Sequence, residues 1–329
     1  MSYPTPFPSR FTDERERTIY DRLRLIGDGP SANFIDACII MASDEGVRLQ
    51  SATHIVGHLL REIESAVRDV LLAFARHGDL KETQVSTGDP SGAATNTVNG
   101  VENHKQEILM ILRHYQIEEM SGVGQLWLAL AGAAKRTPSY VRPLHAFAHR
   151  NALARPRPLD GEFRLFWDDV LGLLQTLLVL FESYYVTAID IVDDLLTHEQ
   201  PTRDDAKRLR EAVPNSRVVL GYFFDHCQNP LWIGMLAAKD FFAHPPGVEL
   251  DDETGAVLGY PVWPASRYLA RMARHPKAHA EVARVVRKLM NADNPRVRED
   301  IVEILTHLPV ERIADLTVEI ATWIDREEK

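Results

Sequence analysis

Arg142, His145 and His149 lie in the run RPLHAFAH at helical spacing, and side chains of these types can together break a phosphodiester. An imidazole titrates near neutrality, so one can take the proton of a ribose 2′-hydroxyl while another protonates the leaving oxygen. A guanidinium grips a phosphate bidentately and stabilises the charge of the pentavalent transition state. Such chemistry needs no metal and no cofactor, and the sequence predicts neither. The trio lies within residues 135–164, KRTPSYVRPLHAFAHRNALARPRPLDGEFR, where seven Lys/Arg and two His are accompanied by only two acids, Asp160 and Glu162. The whole chain sets 37 Lys/Arg against 47 Asp/Glu, a formal −10. The stretch is therefore a basic island, in which Lys135, Arg136, Arg150, Arg155 and Arg157 can bind flanking phosphates. The overall charge argues against a nucleic-acid binder that works through its whole surface.

The elements that would position these groups are helices. Pro143 suits the first turn of a helix running to about Ala154, with Leu144, Phe147, Ala148 and Asn151 on its anchoring face and the Arg/His trio outward. Pro156 and Pro158 end it. Residues 162–196 contain no Pro and one Gly, and predict a helix roughly 50 Å long as the strut of a bundle. Thr53–His77 has an apolar stripe of Ile55, Val56, Leu59, Leu60, Ile63, Val67, Val70, Leu71 and Phe74. His54, His58, Arg61, Ser65 and Arg68 fall on the opposite face, away from this helix's own core. Further helices are expected at Thr12–Ile26, Ser31–Ala42, Val101–Tyr115 and Val123–Ala134, with a polar loop at Val85–Gly100. The expected organisation is a tail and short helix over 1–30, a helical bundle over 31–200 and short helices over 201–329.

In the last part, four helices (Ala265–Arg274, Lys277–Met290, Pro295–His307, Val310–Arg326) form consecutive pairs with short turns, the pattern of a solenoid. Asn294-Pro295-Arg296-Val297-Arg298 resembles the opening of a helix pair in HEAT repeats. No capping unit follows the last helix, so the array is expected to continue beyond the chain end. Pro245–Pro264 reads as a non-helical loop. The fold class is all-α: a helical bundle followed by a short HEAT-like solenoid.

A bundle with an Arg-X4–6-His motif ahead of its last long helix resembles the HEPN superfamily, many of whose members are metal-independent ribonucleases that dimerise to bring two motifs together. The resemblance covers about residues 31–200 and places the motif at Arg142–His149, with His145 an accessory neighbour. It implies endoribonuclease action leaving 2′,3′-cyclic phosphate ends, in a bacterial toxin or antiphage-defence setting. It also implies RNA bound through residues 135–157, a homodimer or larger assembly, and a protein partner on the repeats. Pro143 departs from the polar residue often found after the motif Arg. Arg48/His54 and Arg274/His279 satisfy the same spacing, so spacing alone does not select the site. A non-catalytic helical scaffold, with an inactive bundle, is the alternative.

Other signals are minor. His54 and His58 are at i, i+4, a zinc spacing, but Ile55 stands where a metalloprotease has Glu. Asp168/Asp169 are expected to stabilise a helix N-terminal region and Asp193/Asp194 to form a solvated face. Cys38 and Cys227 read as buried thiols. The start of the chain has no apolar signal core, and the longest apolar run, Val170–Phe181, falls short of a bilayer span. A soluble cytoplasmic protein with no membrane contact is expected.

Overall fold

Helix boundaries follow the capping residues. The structure, a computed structural model, describes residues 11–42, 49, 51–86, 100–133, 140–144, 159–214, 216–250, 255–316 and 321. The Asp13 carboxylate accepts the Glu16 N–H at 2.8 Å and opens α1, Glu14–Ile26. The next helix, α2, spans Asp28–Ala42. It begins ahead of the expected Ser31 because Pro30 sits in its first turn, where a missing N–H breaks no helical bond. Then come α3 (Ala52–Ser86), α4 (Gly100–His114), α5 (Gly122–Leu130) and α6 (Gly161–Leu196). The Val85–Gly100 loop lies largely outside the described residues. α5 stops short of Ala134 because Gly132 takes φ 78°, and the following Ala133 N–H turns back to the Leu128 carbonyl at 2.8 Å.

The remaining helices are α7 (Arg203–Ala212), α8 (Arg217–His226), α9 (Trp232–Ala237), α10 (Pro264–Ala273), α11 (His279–Leu289), α12 (Pro295–His307) and the single turn α13 (Val310–Ile313). Short 3-10 turns at Pro276–Ala278 and Ala314–Leu316 adjoin α11 and α13. The one strand pairing among the described residues is a two-stranded antiparallel ladder, β1 (Glu249–Leu250) with β2 (Val257–Gly259), inside the stretch expected to be a loop. The protein is all-α. It divides into two compact units, Met1–Val186 and Thr187–Lys329. The division falls within α6, earlier than the 200/201 boundary read from the sequence.

In the first unit α6 supplies the apolar spine. By length and composition it could cross a membrane, but Phe166, Leu171, Leu174, Leu178 and Phe181 are buried. Its Trp167 stacks on Phe34 of α2 and its Phe181 meets Phe74 of α3 edge-on, with ring centres 6.0 and 6.2 Å apart.

A polar network lies within this unit, and it corrects the face assigned to Arg68. Arg68 is 6% exposed, not outward-facing. It is held between Glu64, 3.5 Å away, and Glu107 of α4, 3.3 Å away. The Trp127 indole of α5 donates to the other Glu64 oxygen at 2.8 Å. Glu64 also faces a void of about 10 Å³ walled by Leu60, Val67, Leu144, Leu173 and Leu177. Burial raises its carboxyl pKa above the usual 4.5; Arg68 and the Trp127 hydrogen bond oppose the rise, and Asp69 and Glu107 add to it. Ile55, expected in the stripe, is exposed instead.

In the second unit, Thr202 and Asp205 form a reciprocal capping box on α7, and His198 sits 3.1 Å from Asp205. Asp193 and Asp194 are more than a solvated face: Asp193 accepts from the Tyr222 hydroxyl at 2.9 Å, and Asp194 pairs with Arg208 at 2.5 Å. Phe223, Phe224, Trp232 and Tyr268 form the core. The buried Asn294 caps α12 by accepting the Arg296 N–H at 2.9 Å, and its amide donates to the Pro261 carbonyl at 2.8 Å.

Two outcomes are expected in urea unfolding. Arg68→Ala strands Glu64 and should lower stability by about 3–5 kcal/mol. Glu64 binds its proton more tightly folded than unfolded, so the stability this adds is complete below pH 4.5 and lost as pH rises through its folded value. The stability difference between Glu64→Gln and the parent should therefore move in favour of the variant as pH is raised above 4.5; a pH-independent difference would show that Glu64 does not titrate in this way.

Candidate functional site

The described part of the basic island is a short pinned segment. Val141 and Leu144 are buried and Arg142 between them is exposed. The preceding Tyr140 donates its hydroxyl to Asp169 of α6 at 3.0 Å. Residues 141–143 have no regular structure and Leu144 is helical. Arg142 is non-helical, as a proline disfavours helical backbone at the residue ahead of it. Anchored on both sides and pointing outward, Arg142 makes no ion pair or hydrogen bond among the described residues. His145, His149, Lys135, Arg136, Arg150, Arg155 and Arg157 lie outside the described residues. At the far end of the island, Arg164 donates to the Met41 carbonyl at 3.2 Å.

The rival spacing matches fare differently. Arg274 pairs with Glu303 at 3.0 Å, and the His279 Nε2 lies 3.0 Å from the Ala273 carbonyl oxygen. Both are occupied in holding neighbouring helices. Arg48 lies outside the described residues. His58 is exposed and His54 half-buried. Among the described residues no group of three His, Cys, Asp or Glu is placed to hold a metal ion.

Beside Arg142 the first unit opens a cleft of about 600 Å³. Val123, Leu126 and Ala129 of α5, Val141, and Leu173 of α6 give it an aliphatic lining; Arg15, Gln125, Asp168 and Asp169 supply polar groups. The paired acids do not stabilise the α6 N-terminus as expected. They lie two turns into the helix, and Asp160 instead accepts the Phe163 N–H at 2.9 Å. Asp168 forms an ion pair with Arg15 of α1. Asp169 accepts from Tyr140, and that hydrogen bond, with the carboxylate's charge, raises the Tyr140 pKa so that the phenol stays a donor. The N-terminus of α5 reaches the cleft through Gly122, while Ser121 accepts the Gly124 N–H at 3.1 Å. Gly122 and Gly124 belong to a close backbone approach, not to a nucleotide loop: a Cβ at Gly124 would lie 2.6 and 2.7 Å from the Glu119 and Glu118 carbonyl oxygens.

The sequence reading missed the cleft and the Tyr140–Asp169 hydrogen bond. The only signal was the glycine at 172, alone in the α6 interior. Against family models, curated proteins and solved structures, the chain has no match.

Two glycine substitutions should separate packing from opening. Gly124→Ala forces the backbone apart and should lower stability by about 1–3 kcal/mol. At Gly172 a Cβ meets nothing within 4 Å, so Gly172→Ala should raise stability by about 0.5–1 kcal/mol through helix propensity. Thermal unfolding of both variants checks the pair.

Proposed function

We propose that this chain is a metal-independent endoribonuclease of HEPN type, with Arg142 and His149 central and His145 accessory. The observation that carries the reading is Arg142 itself. It is exposed and without an ion-pair partner among the described residues, on a segment fixed by Val141, Leu144 and the Tyr140–Asp169 bond. An outward arginine held at its base is suited to gripping a phosphate. In the proposed reaction one imidazole takes the 2′-hydroxyl proton, the 2′-oxygen attacks phosphorus, and the 5′-oxygen leaves with a proton from a second imidazole. The products are a 2′,3′-cyclic phosphate and a free 5′-hydroxyl. Lys135, Arg136, Arg150, Arg155 and Arg157 would hold neighbouring phosphates. A homodimer would bring two such motifs together. The helices after α6 would act as a HEAT-like array that senses or scaffolds, in the cytoplasm of a bacterium and in a toxin or antiphage role.

The acidic wall beside Arg142 favours a second reading, in which the bundle is an inactive module that docks partners. Incubation with tRNA and total RNA in EDTA distinguishes them. The first reading expects cleavage with 2′,3′-cyclic phosphate ends, and a 10²–10⁴-fold loss in His149→Ala, the magnitude typical of a missing general acid or base. Arg142→Ala should lose activity as well. Cleavage unchanged in both variants removes the site assignment, and no cleavage together with a stable protein complex supports the docking module.

A further inference from the structure

The cleft beside Arg142 has the size of clefts that enclose small organic molecules, at about 600 Å³. Its lining is aliphatic, and two of its lining positions are glycines where a side chain would close it. A Cβ built at Gly122 or at Gly172 meets no atom within 4 Å. Gly172 lies in the interior of α6, where glycine weakens a helix relative to alanine, and no packing contact requires it. Its effect is to leave the cleft open.

The charge on the walls is resolved residue by residue. Arg15 is engaged by Asp168. The positive end of α5 is partly satisfied by the Ser121 hydroxyl. Asp169 is different: among the described residues its partner is the neutral Tyr140 phenol, 3.0 Å away. Among the described lining residues one carboxylate therefore has no counter-charge on a half-apolar wall. Gln125 directs its amide nitrogen to the Glu119 carbonyl at 2.9 Å, which leaves its oxygen as a further acceptor. Among the described residues that line the cleft the one cation, Arg15, is already engaged by Asp168, so an anionic ligand would face Asp169 with no free cation in that lining.

We propose that this cleft binds a small organic monocation, an aliphatic or arylalkyl primary amine whose ammonium group pairs with Asp169 while its apolar body rests on Val123, Leu126 and Leu173. Two terms act together there: apolar burial supplies attraction without direction, and a charge-assisted hydrogen bond in a partly desolvated wall supplies orientation. Binding here does not depend on RNA cleavage, although Asp169 also holds Tyr140 ahead of Arg142.

The test uses the full chain titrated with 2-phenylethylamine, with 2-phenylethanol and 3-phenylpropionate as neutral and anionic counterparts. Calorimetry and ligand-observed NMR read binding, and thermal unfolding reads stabilisation. The amine alone should bind saturably at millimolar or lower concentration and raise Tm. Asp169→Asn, which conserves volume, should weaken binding by about tenfold or more. Gly172→Leu should fill the cleft and abolish binding without lowering the Tm of the free protein. Equal binding by the alcohol or the acid, no saturable binding by the amine, or binding unchanged in Asp169→Asn overturns the proposal, and that last comparison holds even if Gly172→Leu fails to fold.

Discussion

One buried arginine fixes the arrangement of three helices. Arg68 on α3 is all but removed from solvent and faces Glu64 on its own helix and Glu107 on α4, while Trp127 on α5 donates to Glu64. Desolvating such charges costs several kcal/mol per ion, and the opposing attraction depends on close geometry. An apolar contact tolerates sliding; this one does not. Moving α4 or α5 along α3 would leave a carboxylate, a guanidinium or an indole N–H without its partner. The network therefore acts less as added stability than as a constraint on register, and α5, placed by it, forms one wall of the cleft.

Much of the helical framework was legible in the sequence because its signals are local. The long helix at 161–196, the Thr202 cap of α7 and the Asn294-Pro295 opening of α12 are written in spacing and cap residues. The misreadings are of another kind. A helical wheel puts Arg68 opposite the apolar stripe, and only the carboxylate brought by α4 and the indole brought by α5 allow it to be buried there. The early end of α5 turns on the left-handed backbone at Gly132. The strand pair within 249–259 is too short for a period to show.

The candidate site divides in the same way. The basic island and the outward Arg142 follow from residue types and from Pro143, which were visible at once. What makes Arg142 a fixed rather than a loose group is the bond from Tyr140 to Asp169, a pairing that joins residues far apart in sequence. The cleft is less legible still, since α1, α5, α6 and the 140–144 segment each supply part of its lining. No spacing rule can bring four separate segments to one concavity.

α5 has nine residues and no charged side chain, yet it serves two neighbours at once. Trp127 faces Glu64 while Gln125 and Leu126, the residues just before it, line the cleft. Substitutions on the two sides of so short a helix share one backbone, and residues coupled through a shared backbone do not combine additively. The shape of the cleft is thus inherited with the fold. A change in the cleft that spares the network must therefore come from α1, α6 or the 140–144 segment, since α5 is the wall that both share.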